Sequence, residues 1–256
     1  MRGIGGLAHR EDDGMLDLEA AVFGFIDSLS ACATSARAEK EKRYLKSGLR
    51  FLGASVPDVR REARAFVRAH PDLTRDELEA LARILWDSDT HELRSVGIAL
   101  LELRGDLLRE SDADWLLHLV KRCNTWAHVD WIATKVLGGM AAREPSVETV
   151  LDRWSRDANF WVRRSALLAS HDRLAAGIGD FERFEWRAAA LLEENEFFIR
   201  KAIGWVLRST CKKTPERTIG FVQRHAREMS ALTFREATRA LDPSVRRRLE
   251  SLKLGR

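Results

Sequence analysis

Apolar residues recur along the chain with the period of a helix. Between residues 16 and 29 apolar side chains recur every three or four positions, which predicts an amphipathic helix. The same period returns after Pro57 in successive short segments that polar turns divide. Sustained apolar-polar alternation and Asn-Gly or Asp-Gly turns between β-branched runs are absent from the sequence, so strands are not expected. The pattern predicts a nearly all-helical protein.

A longer period groups these helices. Six helices begin with an aliphatic or aromatic residue followed by arginine, or in one copy by aspartate, and successive copies lie 34, 36, 33, 37 and 35 residues apart. The first members are Val59, Leu93, Val129, Val162, Ile199 and Phe234. A helix pair repeated at this period buries its apolar faces only by stacking on its neighbours. We predict an all-α fold, an α-solenoid superhelix of HEAT-like helix pairs, because the Trp, Gly and Tyr signature of tetratricopeptide repeats does not recur.

The length suits one large domain or two small ones, and the repeat period favours one. Residues 1–14 are rich in glycine and then charged, which predicts a disordered leader, and a single HEAT-like repeat domain is predicted over residues 15–256. Two capping boxes are expected at helix starts, because a threonine or serine precedes an acid by three positions in each. They are Thr74 with Glu77 and Ser111 with Asp114.

Composition excludes several classes of protein. Lysine and arginine number 43 against 39 acidic residues, a net charge of +4, which suits an anionic partner without proving one. The three cysteines lie far apart and form no disulfide or redox pattern, so a reducing, cytoplasmic location is expected. No apolar run reaches the length of a membrane span. The seven histidines lack metal-ligand spacing, and we expect a monomer that needs no metal or other cofactor.

The third repeat differs from the others at the helix start. Asp130 stands where the other copies have arginine, with Trp131 beside it and Trp126 four positions earlier. Residues four apart share a helix face, so Trp126 and Asp130 point the same way. Two interpretations are open: Asp130 is a catalytic carboxylate, or it forms a structural pair with Arg94 or Arg164.

The repeated cations have two interpretations as well. Arginines or lysines one repeat apart could follow a phosphate backbone, or they could pair with acids of the neighbouring repeat. Pairing is the favoured interpretation for the first column, and binding for the second, less regular one. The first column is Arg60, Arg94, Arg163, Arg200 and Arg235, and the second contains Arg61, Arg164 and Lys201.

Trp205 is the most unusual of the eight tryptophans. Most of them are expected in the core, but Trp205 occupies a position where other repeats have a small or aliphatic residue or Lys135. Lys201 and Arg208 share its helix face. A basic surface with an aromatic group suits nucleic acid, whose sugars and bases offer apolar faces between phosphates. Tyr44, the only tyrosine, lies on a basic helix of its own.

Several segments together resemble the bacterial AlkD-type DNA alkylation-repair glycosylases. The resemblance covers roughly residues 16 to 252, and its most specific block runs from Glu196 to Arg208. The other matching segments are Tyr44 to Lys46, Phe51 to Arg60, Trp126 to Asp130 and Asn159 to Arg164. The resemblance implies a HEAT-like superhelix that grips duplex DNA and removes cationic N3- and N7-alkylated purines.

Site residues follow from the resemblance position by position. It implies that Asp130 is the catalytic carboxylate, that Trp126 and Trp205 pack on the sugar of the damaged nucleotide, and that Tyr44 and Arg164 contact DNA near the lesion. Arg60 and Lys201 from the basic columns, and Arg208 from the helix face of Trp205, complete the expected DNA-binding set. The family typically has Trp-Trp-Asp where this chain has Thr125-Trp126-Ala127. Because the family also contains relatives without excision activity, the alternative is a non-catalytic HEAT-repeat protein that binds DNA structures or a protein partner.

Overall fold

The computed structural model describes residues 16–255. The predicted disordered leader, residues 1–14, lies outside the described residues, as do Met15 and Arg256. Within the described range the chain forms helices and no β-strand, apart from isolated bridges such as the one between Arg50 and Thr90. The prediction of an all-α protein built from helix pairs is confirmed. None of the helices in this range combines the length and the apolar character that crossing a membrane requires.

The helices follow one another with short connections. In chain order they are α1 Leu18–Cys32, α2 Ser35–Leu45, α3 Val56–Ala69, α4 Arg75–Asp87, α5 His91–Leu103, α6 Ala113–Lys121, α7 Trp126–Trp131, α8 Gly138–Arg143, α9 Val147–Trp154, α10 Phe160–Leu168, α11 His171–Ala175, α12 Phe181–Ala189, α13 Phe197–Thr210, α14 Pro215–His225, α15 Ala231–Thr238 and α16 Pro243–Lys253. A π-helical segment, Ile132–Leu137, follows α7, and two 3₁₀ turns, Gly105–Leu107 and Glu110–Asp112, precede α6.

The described residues divide into two compact units. The first unit contains residues 16–112 and 122–131, and the second contains residues 113–121 and 132–255. The single domain expected over 15–256 stays a prediction. In the first unit α5 packs against α3 and α4 and is buried from His91 to Leu101. That burial explains why the second half of α5, residues 96–101, is apolar on all sides instead of along one stripe.

Capping residues define several helix starts in the first unit. The capping box between Thr74 and Glu77 is confirmed at α4, and a second one, between Ser55 and Asp58, begins α3. The box expected at Ser111 and Asp114 is wrong, because Ser111 lies inside the 3₁₀ turn Glu110–Asp112 and is not the residue before α6.

A glycine with a left-handed backbone fixes the chain between α2 and α3. Gly53 has φ of +96°, and a Cβ there would lie 2.0 Å from the carbonyl oxygen of Thr34. Its N–H donates to the buried carboxylate of Glu92 at 2.7 Å, and its carbonyl accepts from the N–H of Thr34 at 3.1 Å. Only glycine combines this φ with so close an approach. These bonds hold the start of α2, the helix that carries Tyr44.

The core of the second unit is built mainly from helices α10 to α15. Fully buried side chains of α12, α13 and α14 meet there, among them Phe184, Ile203 and Phe221. Helices α13 and α15 approach closely at Gly204, where a Cβ would lie 2.5 Å from Cβ of Glu236. Because Gly204 has no side chain, these two helices can approach this closely. The next residue, Trp205, lies at the edge of the core.

Candidate functional site

Helix α7 carries two of the predicted catalytic residues and is anchored by the buried imidazole of His128. The Nε2 atom of His128 lies 3.1 Å from Ser95 Oγ, and its ring stacks on that of His91 with centroids 4.3 Å apart. Burial, followed by the influence of His91 and Arg94, lowers the pKa of His128 well below its ordinary value. His128 is therefore neutral and fastens α7 to α5 by packing and hydrogen bonding.

Tyr44 and Trp126 form an edge-to-face aromatic pair. Their ring centroids are 5.7 Å apart and the ring planes meet at 87°, a geometry that aromatic quadrupoles favour. Tyr44 is 69% exposed, and Trp126 is half-buried. Asp130, also half-buried, follows Trp126 by one helical turn on the same face. The first unit thus places an accessible aromatic pair beside a carboxylate.

The charge of Asp130 acts on the interior of the first unit. Burial is the main cause that raises the pKa of the Cys123 thiol; the positive charge of Arg94 opposes it, and the negative charge of Asp130 adds to it. Asp130 is half-buried, and a half-buried charge is screened by water less than one on an open surface. Asp130 therefore has the partly shielded setting in which a charge stabilises a nearby cation strongly.

Arg60 is placed by contacts within the first unit. Its Nη2 atom lies 2.9 Å from Oε2 of Glu102, and its guanidinium carbon lies 4.5 Å from the ring centroid of Trp131. The indole N–H of Trp131 donates to the same oxygen of Glu102 at 2.6 Å. These three side chains form a closed cluster, so Arg60 holds the end of α7.

Other members of the first arginine column also have structural partners. Arg94 donates to the carbonyl of Ser88 at 2.8 Å, Arg163 pairs with Glu194 at 2.7 Å, and Arg200 donates to the carbonyl of Glu194 at 2.6 Å. The pair with an acid of the neighbouring repeat that the sequence favours for this column is therefore found at Arg60 and Arg163, whereas Arg94 and Arg200 bond to backbone carbonyls.

The second unit places Lys201, Trp205 and Arg208 along one face of α13. Lys201 Nζ lies 3.0 Å from Oε1 of Glu236, and Arg208 donates to the other oxygen of the same carboxylate. Burial opposes ionisation of Glu236, but the hydrogen bonds and charges of Lys201 and Arg208 outweigh it and keep its pKa below the ordinary value. One acid thus holds both predicted DNA-binding cations beside Trp205, which is half-buried.

Arg164 lies inside the second unit, with 4% of its surface exposed. It donates a hydrogen bond to the carbonyl of Phe198, and its guanidinium carbon lies 5.7 Å from the ring centroid of that residue. Arg164 therefore connects α10 with the first turn of α13. Its surroundings differ from those of Lys201, although the repeat places both in the second column.

Three features of the site were not predicted from sequence. The acids Glu102 and Glu236 organise the cations around α7 and α13, and the π-helical segment Ile132–Leu137 changes the angular register after Trp131. A signal existed for Glu236, since it occupies the second column, one repeat after Lys201. The sequence offered no comparable signal for the π-helical segment. Among residues 16–255 no group of three or more His, Cys, Asp or Glu side chains is arranged to hold a metal ion.

The comparison with protein families gives one match over most of the chain. The family described as "DNA alkylation repair enzyme" matches residues 25–241. No curated protein sequence matches the chain significantly.

Two solved structures resemble the fold closely. One is described as a predicted DNA alkylation repair enzyme from Enterococcus faecalis; it is 22% identical, has a TM-score of 0.74, and the alignment covers 82% of this chain and 97% of that one. The other is AlkD2 from Streptococcus mutans, with 16% identity, a TM-score of 0.64, and coverage of 88% and 100%. At these identities the likeness concerns the arrangement of helices.

Proposed function

The chain belongs to the DNA alkylation repair enzyme family, and from this membership we propose that it is a DNA glycosylase. It hydrolyses the N-glycosidic bond of cationic N3- or N7-alkylated purines in duplex DNA. The observation that carries the proposal is the setting of α7, where Asp130 lies one turn from Trp126 and Trp126 contacts the exposed ring of Tyr44. A half-buried carboxylate beside aromatic faces suits a sugar that becomes positively charged.

The chemistry requires little more than this carboxylate. A neutral purine leaves its sugar only with the help of a general acid, whereas an N3- or N7-alkylated purine already carries a positive charge. The remaining task is to stabilise the cationic sugar as the bond breaks, which a preorganised negative charge does. We assign this role to Asp130. We propose that the ring face of Trp126 packs on the sugar and favours its cationic form. Trp205 is proposed as a sugar contact of the second unit.

Binding of DNA is proposed to use the cations on accessible surfaces. Lys201 and Arg208 are half-buried and flank Trp205, so they are the strongest candidates for phosphate contacts in the second unit. Tyr44 is the candidate for a contact beside the lesion. Arg60 and Arg164 have structural partners inside their units, and we propose that they support the neighbouring site residues in addition to any contact with DNA.

Replacing Lys201 with alanine should reduce the salt dependence of DNA binding. Removing one lysine–phosphate interaction lowers the slope of log affinity against log salt by about 0.9. A matched control is Lys121→Ala, since Lys121 also pairs with an acid of its own unit, Asp157, at 3.1 Å. Fluorescence anisotropy of a labelled duplex at several salt concentrations measures both slopes. Equal slopes for Lys201→Ala and the wild-type protein would show that Lys201 serves only its pair with Glu236.

The choice of leaving base tests the proposed mechanism. Two duplexes that differ only in carrying 7-methylguanine or hypoxanthine at one position present a cationic and a neutral purine in the same sequence. Because no general acid is assigned, excision of 7-methylguanine is expected and excision of hypoxanthine is not. Cleavage of the abasic product with alkali, followed by gel electrophoresis, measures both. Binding to both duplexes without excision of either would instead support the non-catalytic alternative.

A further inference from the structure

Trp205 packs against the ring of His171 in the second unit. The two ring centroids are 4.5 Å apart and the ring planes are tilted by 49°. Trp205 lies at the edge of the core, so its inner side is fixed by packing while part of the indole remains accessible. The angle at which a half-exposed indole presents its face depends on the neighbours that hold its rotamer. His171 is such a neighbour.

Both nitrogens of His171 are engaged, which fixes the orientation of its ring. Nδ1 lies 2.8 Å from Oδ1 of Asp172, and Nε2 lies 2.9 Å from Oγ of Ser209. Ser209 follows Trp205 by four positions on α13 and therefore lies on the same helix face. His171 is thus bonded to the same face of α13 that its ring contacts.

Asp172 holds the ring of His171 from behind. The hydrogen bond from His171 is the largest cause that lowers the pKa of Asp172 to about 2; partial burial opposes it, and Lys135 adds to it through a bond of 2.6 Å. An ionised carboxylate only accepts hydrogen bonds, so Nδ1 of His171 carries a hydrogen. In the neutral ring Nε2 then accepts from the hydroxyl of Ser209. The arrangement leaves His171 one ring orientation.

We propose that His171 is a positioning residue that sets the indole plane of Trp205 for contact with the sugar of the damaged nucleotide. The effect on catalysis rests on the proposed function, whereas the contact between His171 and Trp205 rests only on the geometry of the second unit. Because both nitrogens of His171 are bonded within the protein, its ring is not placed to exchange a proton with substrate. Its influence on excision passes through Trp205.

Fluorine NMR tests the positioning without any need for activity. The eight tryptophans are replaced by 5-fluorotryptophan, and the resonance of position 205 is identified by its loss in Trp205→Phe. In His171→Phe, which keeps an aromatic ring but removes both hydrogen bonds, this resonance should shift or broaden. An unchanged resonance would overturn the proposal.

A second histidine of the same unit provides a matched control. His225 also has both ring nitrogens bonded, in its case to two acids, Glu228 at 3.1 Å and Glu185 at 3.2 Å, and its ring centroid lies 4.8 Å from that of Phe221. His225→Phe therefore removes the same kind of contacts at a position that does not touch Trp205. It should leave the resonance of position 205 unchanged.

Excision kinetics test whether His171 acts through Trp205. Single-turnover release of 7-methylguanine should fall about tenfold in His171→Phe, as displacement of a positioned group by a fraction of an ångström implies. In a Trp205→Ala background the same change should have no further effect, whereas independent roles would make the two losses multiply. If the wild-type protein releases no base, the proposed function fails, and the NMR result still decides the positioning.

A milder substitution covers the case in which His171→Phe does not fold. Ser209→Ala removes only the hydrogen bond to Nε2 and keeps the ring of His171 that packs on Trp205. The resonance of position 205 should shift in the same direction as in His171→Phe and by a smaller amount. An unshifted resonance in this variant, with the protein folded by circular dichroism, counts against the proposal.

Discussion

Asp130→Asn should reduce single-turnover excision of 7-methylguanine by a factor on the order of 10² to 10³, the usual loss when one preorganised electrostatic group is removed from a reacting centre. Asparagine keeps the shape of the side chain and part of its hydrogen bonding, but it carries no charge to oppose the cation that forms on the sugar. Affinity for undamaged duplex DNA should be kept or should increase, because an anion has been removed from a surface that binds phosphates.

If Asp130 is a structural residue, the opposite result is expected: Asp130→Asn should lose stability and keep its excision rate. If the carboxylate serves mainly as the partner of an arginine, neutralising it leaves an uncompensated charge and costs about 3 to 5 kcal/mol of stability when that charge is buried. Melting temperature and excision rate are therefore measured on the same sample. Asp157→Asn is a suitable control for the loss of a paired carboxylate, since Asp157 pairs with Lys121. An Asp130→Asn variant that melts early yet excises at the wild-type rate would show that the carboxylate is structural.

Arg187→Met should destabilise the protein by about 3 to 5 kcal/mol, the usual cost of removing one partner from a buried ion pair. The Arg187 side chain is fully buried and donates to Asp152 at 2.7 Å and to Glu148. Without it, Glu148 and Asp152, one turn apart on α9 and each less than a quarter exposed, keep only the partly exposed Arg183 as a cationic partner. Urea unfolding at neutral pH, monitored by circular dichroism, measures the change in the free energy of unfolding.

A neighbouring arginine and the pH dependence provide the controls for Arg187. Arg183→Met removes an arginine that contacts the same two acids but is about one-third exposed, so its cost should be roughly 1 kcal/mol or less. Burial tends to raise the pKa of Asp152, but the bonds from Arg183 and Arg187 outweigh it and lower the value below 3.8. The stability that Asp152 contributes is therefore present above that pH and is lost as the pH falls through its folded pKa. A loss for Arg187→Met that does not shrink as the pH falls through the range in which Asp152 takes up its proton would contradict this explanation.

The architecture and the composition of α7 could be predicted because both depend on local sequence. Helical periodicity and the repeat of about 35 residues identify helix pairs that must stack. A single Asp130 among repeated arginines, with Trp126 one turn before it, identifies the unusual face. Thr74 and Glu77 show the same principle at a smaller scale, because a capping box needs only residues three positions apart.

The partners of the cations could not be predicted in the same way. Whether Arg60 points to DNA or to Glu102 depends on a contact between residues that are 42 positions apart in sequence. No local sequence pattern shows that two such residues meet. Arg164 and Lys201 occupy the same column, yet one is buried and the other is half-buried, since the helix packing differs between repeats. The histidine network around Trp205 depends on the same kind of contact between helices, so it was visible only in the structure.

Release of 7-methylguanine from a methylated duplex by the purified wild-type protein tests the central claim most directly. The duplex is incubated with excess protein, and the freed base and the abasic strand are quantified by mass spectrometry against a sample without protein. A glycosylase that works through Asp130 and the aromatic groups of α7 yields free base and abasic sites in equal amounts, far faster than spontaneous depurination. A protein that binds the duplex while the base is lost only at the spontaneous rate would contradict the claim.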